Sequence, residues 1–63
     1  MVEVGQIAVS DNGSNLKISS VIFNTIDYII TVERETDFGT ITEPFTETEF
    51  NEQYGNLTWI TPY

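Results

Sequence analysis

"VSDNGSNLKI", residues 9–18, is the stretch on which the fold turns. Asn12-Gly13 is the preferred pair for a two-residue hairpin loop of the mirror-image type, because both residues tolerate the positive φ that such a loop requires. With that pair at the tip, Val9 stands opposite Leu16 and Ile7 opposite Ile18, and both pairs are apolar. Turn chemistry and side-chain alternation therefore name one register, and a slip of one residue would turn the apolar set toward water. A β-hairpin over residues 7–18 is the first expectation.

Outward from it, "ISSVIFNTIDYIITVE", residues 18–33, is rich in β-branched and aromatic residues on both sides of Asn24-Thr25. A two-residue loop there would set Ile22 against Asp27 and Ile18 against Thr31, mixing the faces. A loop of three, Asn24, Thr25 and Ile26, sets Ile22 against Tyr28, Ser20 against Ile30 and Ile18 against Val32, continuing the face begun by the first hairpin. The opposite face then holds Val21 beside Ile29 and Phe23 beside Asp27. Val21, Phe23 and Ile29 thus form an apolar group outside the main core. It is covered by a bend of the second strand or by residues 59–63; left exposed, it marks contact with a partner or a second copy.

A third hairpin is expected through "ERETDFG", residues 33–39, with Thr36, Asp37 and Gly39 supplying turn chemistry and a short strand following near residues 39–42. "PFTETEFNEQYG", residues 44–55, reads as a helix start. Thr46 is a good N-cap, Glu49 three positions later can reach back to its amide, and Phe45 and Phe50 have the spacing of a hydrophobic staple. Gly55 suits a left-handed C-terminal stop, so the helix is expected over residues 47–54, with Phe50 and Tyr54 on its buried face. "NLTWITP", residues 56–62, alternates as a closing edge strand limited by Pro62. Residues 1–63 are thus expected to form one mostly β domain of five strands, with one short helix before the last.

The order of these elements resembles the small SH3-like barrels. "VEVGQIAVSDNG", "LKISSVIFNTIDYIITVE", Gly39 and "FNEQYG" are similar to small SH3-like barrel proteins of phages and Firmicutes, in which a Val-Gly-Gln strand opens a compact barrel and a Phe-x-x-x-Tyr turn precedes the last strand. The resemblance spans most of the chain. It implies a five-stranded SH3-like barrel and a phage or mobile-element origin more than a function. Ala8 stands where that pattern often has an aromatic, and the aromatic slot of peptide-binding SH3 domains is not visible.

Composition excludes several chemistries. With 63 residues the chain buries only about 60% of the surface its unfolded form exposes, so its stability margin is small. It has no cysteine and no histidine, which removes disulfides, thiolate or imidazole metal sites, and every nucleophile that leans on a histidine. Its apolar runs fall far short of the roughly 18 residues of a membrane span, and no secretory leader is evident, so a cytoplasmic location without membrane contact is expected. Ten acidic residues against Lys17 and Arg34 give a net charge of −8, which repels phosphate backbones, so no direct nucleic-acid binding is expected.

Glu33, Glu35 and Asp37 alternate along a strand and could in principle perform acid and base work, but a solvated hairpin face explains them better. "DNGSN", residues 11–15, has the start of a calcium loop, yet Ile22 stands where the bidentate glutamate is needed. No catalysis, cofactor or metal is expected. The leading expectation is a non-enzymatic module that binds a protein with a basic surface through Glu33, Glu35, Asp37, Glu43, Glu47 and Glu52, with an apolar centre at Val21, Phe23 and Ile29. A phage-type inhibitor that mimics DNA on a nucleic-acid-binding surface fits that charge. The alternative is a homo-oligomer, or an accessory subunit, that buries the apolar group.

Overall fold

A computed structural model describes residues 1–62. Tyr63, the last residue of the segment expected to cover the Val21, Phe23 and Ile29 group, lies outside the described residues. Four strands, β1 (Ile7–Val9), β2 (Asn15–Phe23), β3 (Tyr28–Thr36) and β4 (Gly39–Thr46), precede one helix, α1 (Glu47–Tyr54). The strands form an antiparallel meander in the order β1-β2-β3-β4. The fold is mostly β with one short helix, as the alternation of apolar residues requires.

The fifth strand expected over residues 56–62 is reduced to a single bridge. Ile7 and Ile60 exchange both backbone hydrogen bonds at 2.9 Å, and among the described residues the sheet is otherwise open. The cause is the neighbouring Trp59, whose indole N–H donates to the Tyr54 carbonyl at 3.1 Å and whose ring packs 5.5 Å from Phe50. Trp59 and Leu57 both pack against the core, which leaves Ile60 to pair with β1.

The first hairpin forms, one residue out of the expected register. Val9 pairs with Asn15, Ala8 with Leu16 and Ile7 with Lys17. The loop has three residues, 11–13: the Gly13 amide donates to the Ser10 carbonyl and the Ser10 amide to the Ser14 carbonyl, each at 2.9 Å. Gly13 alone takes a positive φ, 88°, as in a type I turn followed by a left-handed glycine. Asn-Gly serves that loop as well as the mirror-image one. What selects it is a side-chain net, in which the Ser10 hydroxyl donates to Asn12 Oδ1 and both oxygens accept from the Ser14 amide. Ala8 therefore faces the core with Leu16, while Ile7 and Val9 face outward.

In the β2–β3 hairpin the loop has four residues, 24–27, instead of three. Asn24 holds it, its amide donating to the Asp27 carbonyl and its Oδ1 accepting from the amides of Ile26 and Asp27. The pairs next to the loop are Phe23 with Tyr28, Ile22 with Ile29 and Val21 with Ile30, so the expected pairs Ile22 with Tyr28 and Ser20 with Ile30 are overturned. A bulge at Ser19 absorbs the extra residue, and beyond it Ile18 meets Val32 as expected. The third hairpin turns on two residues, Asp37 and Phe38, with Thr36 opposite Gly39. Its second strand runs on to Thr46, past the expected end near residue 42, and carries Pro44 on the edge of the sheet, where a missing donor is tolerated.

Helix α1 starts and ends where its local chemistry places it. The Glu49 amide donates to Thr46 Oγ1 at 3.3 Å and Glu49 Oε1 accepts from the Thr46 amide at 3.0 Å, closing the capping box. Gly55 departs from expectation: its φ of −66° is right-handed, and glycine is needed because a Cβ would run into the Asn51 carbonyl oxygen. The helix covers one face of the sheet, where Leu16, Ile18, Ile30, Val32 and Phe45 close around Phe50. Val2, Val21, Tyr54, Leu57 and Trp59 pack around that cluster.

Candidate functional site

Strand alternation divides the sheet into an inner face under α1 and an outer face turned to solvent. On the outer face the register aligns two rows across the strands. One runs Ile7, Lys17, Glu33, Thr42; the other runs through Val9, Asn15, Glu35 and Thr40. In the second row Asn15 Nδ2 donates to Glu35 Oε2 at 3.3 Å. Glu33 and Glu35 stand two residues apart on one strand, so their carboxylates point the same way about 6.7 Å apart along it. Lys17 lies between Ile7 and Glu33, and among the described residues its ammonium makes no ion pair.

All residues of these rows but Thr42 line an open groove of about 860 Å³. Ile7 and Val9 form one bank together with Ile60 from the C-terminal segment. Glu33 and Glu35 form the other. The banks are two strand spacings apart, about 9.5 Å. The C-terminal segment adds Leu57 and Thr58 to the wall on the β1 side. Short β1 leaves this wall incomplete, because among the described residues the bridge at Ile60 is the single point where the two segments pair.

The six acidic residues expected to form one line fall on two sides of the molecule. Glu33 and Glu35 are on the outer face, and Asp37 is exposed in the adjoining β3–β4 turn. Glu43 pairs across from Val32 and so belongs to the inner face, where Arg34 Nη2 donates to its Oε1 at 3.3 Å. Glu47 and Glu52 are carried by α1, which covers that same inner face. The arrangement thus separates an outer pair that, among the described residues, makes no ion pair from an inner carboxylate held by Arg34. Among the described residues no three carboxylates gather closely enough to hold a metal ion.

No family model matches the chain, and no curated protein or solved structure matches it either.

Val21, Phe23 and Ile29 do not share a face. The bulge at Ser19 carries Val21 to the inner side opposite Ile30, where it packs against the core, while Ile29 stays on the outer face opposite Ile22. Phe23 lies at the hairpin end, beyond the core, 55% exposed and edge-on to Tyr28 with ring centres 5.0 Å apart. The exposed apolar end of the molecule is formed instead by Ile22, Phe23, Ile26 and Tyr28, with Ile26 89% exposed. Ile22, Ile26 and Tyr28 were not legible as a group, because their placement depends on the four-residue loop. The signal that finds it is Asn24, whose side chain can cap two amides of a longer loop.

Proposed function

We propose that this chain is a small non-enzymatic binding module that engages a basic surface on another protein. The observation that carries this reading is the pairing of Glu33 and Glu35 on the wall of an open groove, in a chain of net charge −8 with a single ion pair among the described residues. Carboxylates without an ion pair beside a concavity attract a cationic partner from a distance and keep anionic ones away. The finer form of the proposal is a phage or mobile-element inhibitor, acting in the cytoplasm, that occupies a site built for phosphates as a DNA mimic does. The bridge between Ile7 and Ile60 is where a fifth strand would complete an SH3-like barrel in that proposal.

The test starts with capture of partners from a bacterial lysate at low salt, followed by elution with salt and stopped-flow association of the captured protein. The rate constant is expected to fall steeply with ionic strength, and to fall again on charge reversal at Glu33, Glu35 and Asp37. An association rate indifferent to both disposes of the acidic-contact reading.

A second reading, self-association or docking as an accessory subunit, is favoured by the exposed end at Ile22, Phe23, Ile26 and Tyr28. Sedimentation velocity at rising concentration decides it. A concentration-dependent dimer lost in Phe23→Ser supports this reading, and a monomer throughout removes it.

A further inference from the structure

We infer that the outer groove takes an extended segment of the partner protein in which arginine alternates with aliphatic residues. This rests on the proposed engagement of a basic surface and specifies where and how it occurs. Successive side chains of an extended segment point to opposite sides, and each side repeats about every 6.7 Å. The two banks of the groove repeat at the same interval, because Ile7 and Val9, like Glu33 and Glu35, are two residues apart on a strand. A segment running along β2 between banks about 9.5 Å apart therefore turns one set of side chains onto Ile7, Val9 and Ile60 and the other onto the two carboxylates.

Charge selects the second set. Glu33 and Glu35 against Lys17 leave the groove net negative, and the whole chain adds to that sign. Arginine suits the site better than lysine, because its planar fork matches a carboxylate with two parallel hydrogen bonds. Lys17, between the banks and without an ion pair, lies beneath the path of the bound backbone and can donate to its carbonyls. A second copy of this chain is a poor occupant: its one arginine, Arg34, is flanked by Glu33 and Glu35, so the segment around it is acidic.

The probe is the blocked hexapeptide Val-Arg-Val-Arg-Val-Ser, titrated at low salt into the isotope-labelled chain and followed by amide shifts and calorimetry. Saturable shifts are expected at residues 7–9, 15–17, 33–35 and 56–60. Glu33→Gln/Glu35→Gln is compared with Glu47→Gln/Glu52→Gln; each removes two negative charges, from −8 to −6, so long-range attraction falls equally. The groove variant is expected to lose tenfold or more in affinity and the helix variant less than threefold, both with unchanged urea unfolding. Replacing the peptide valines with serine is expected to weaken binding about fivefold.

Equal losses in the two variants overturn the groove while leaving a general acidic module intact. Shifts confined to the hairpin end at residues 22–28, or no saturable binding to the unsubstituted chain, also overturn the groove; the salt-dependent capture above then decides the broader reading separately. Binding that neither variant weakens overturns both.

Discussion

On the side of Ser19 away from the turn, the β2–β3 hairpin pairs Ile18 with Val32 and buries both almost completely. On the turn side, the same two strands pair Ile22 with Ile29 and Phe23 with Tyr28, and leave Ile22, Phe23 and Tyr28 exposed. Composition does not distinguish the halves, since both are rich in β-branched and aromatic residues. Two things distinguish them: Ile22 lies on the outer face, and α1, which is capped at Thr46 opposite Ile29 and runs away from the turn, closes Phe50 over Ile18, Ile30 and Val32 and leaves Phe23 and Tyr28 uncovered. Apolar alternation is thus buried where a helix covers it and left exposed where none does. Stability should therefore reside in the covered half.

The largest expected effect tests that division directly. Ile18→Ala opens a cavity at a fully buried position and should cost about 2–5 kcal/mol. A chain below about 70 residues rarely has more than roughly 3–5 kcal/mol in total, so this variant should be substantially unfolded at 25 °C. Ile26→Ala, at the exposed tip, should stay within about 0.5 kcal/mol of the parent. Urea titration by circular dichroism measures both. Comparable losses would erase the distinction between the two halves.

The next two effects concern the helix that makes the covered half. Gly55→Ala should destabilise by about 1–3 kcal/mol, because its Cβ meets the Asn51 carbonyl oxygen. Helix propensity alone predicts the opposite sign, so the direction of the shift in the urea midpoint is decisive. Thr46→Ala removes the cap acceptor of the Glu49 amide and should cost about 1 kcal/mol. Hydrogen exchange should show that loss in α1 and in the amides of Ile30 and Val32 beneath it, and much less at the hairpin tip.

The contrast between the halves also explains what the amino-acid sequence made legible. The helix was readable to the residue, because Thr46, Glu49, Phe45 and Phe50 interact within a single turn. Ile18 opposite Val32 was readable because one register alone buries both. Loop lengths were not: Asn12-Gly13 fits two loop types, and the choice rests on Ser10 and Ser14 outside the dipeptide. The bulge at Ser19 had no signal in alternation, since Ser19 and Ser20 are both polar, yet it decides which face receives Val21. In the candidate site, Glu33 and Glu35 were legible as a pair from their spacing. Glu43 was not separable from them, because its face follows from the two-residue turn at Asp37 and Phe38. The closing strand misled for a physical reason: Leu57 and Trp59 alternate as a strand would, but both alternate toward the core.

The smallest expected effect lies in the loop of the uncovered half. Thr25 adopts a φ of 78°, a left-handed conformation that a β-branched residue reaches only under constraint. The constraint is Asn24, whose Oδ1 ties the loop by accepting from the amides of Ile26 and Asp27. A left-handed backbone costs such a residue about 1–2 kcal/mol, and glycine would relieve it while giving back roughly 0.5–1 kcal/mol in unfolded-chain entropy. Thr25→Gly should therefore gain about 0.5–1 kcal/mol, seen as a raised urea midpoint with an unchanged slope. A gain would mean that the turn end is less stable than its backbone allows. A loss would mean that the threonine side chain holds the loop, and the two halves of the hairpin would differ in coverage alone.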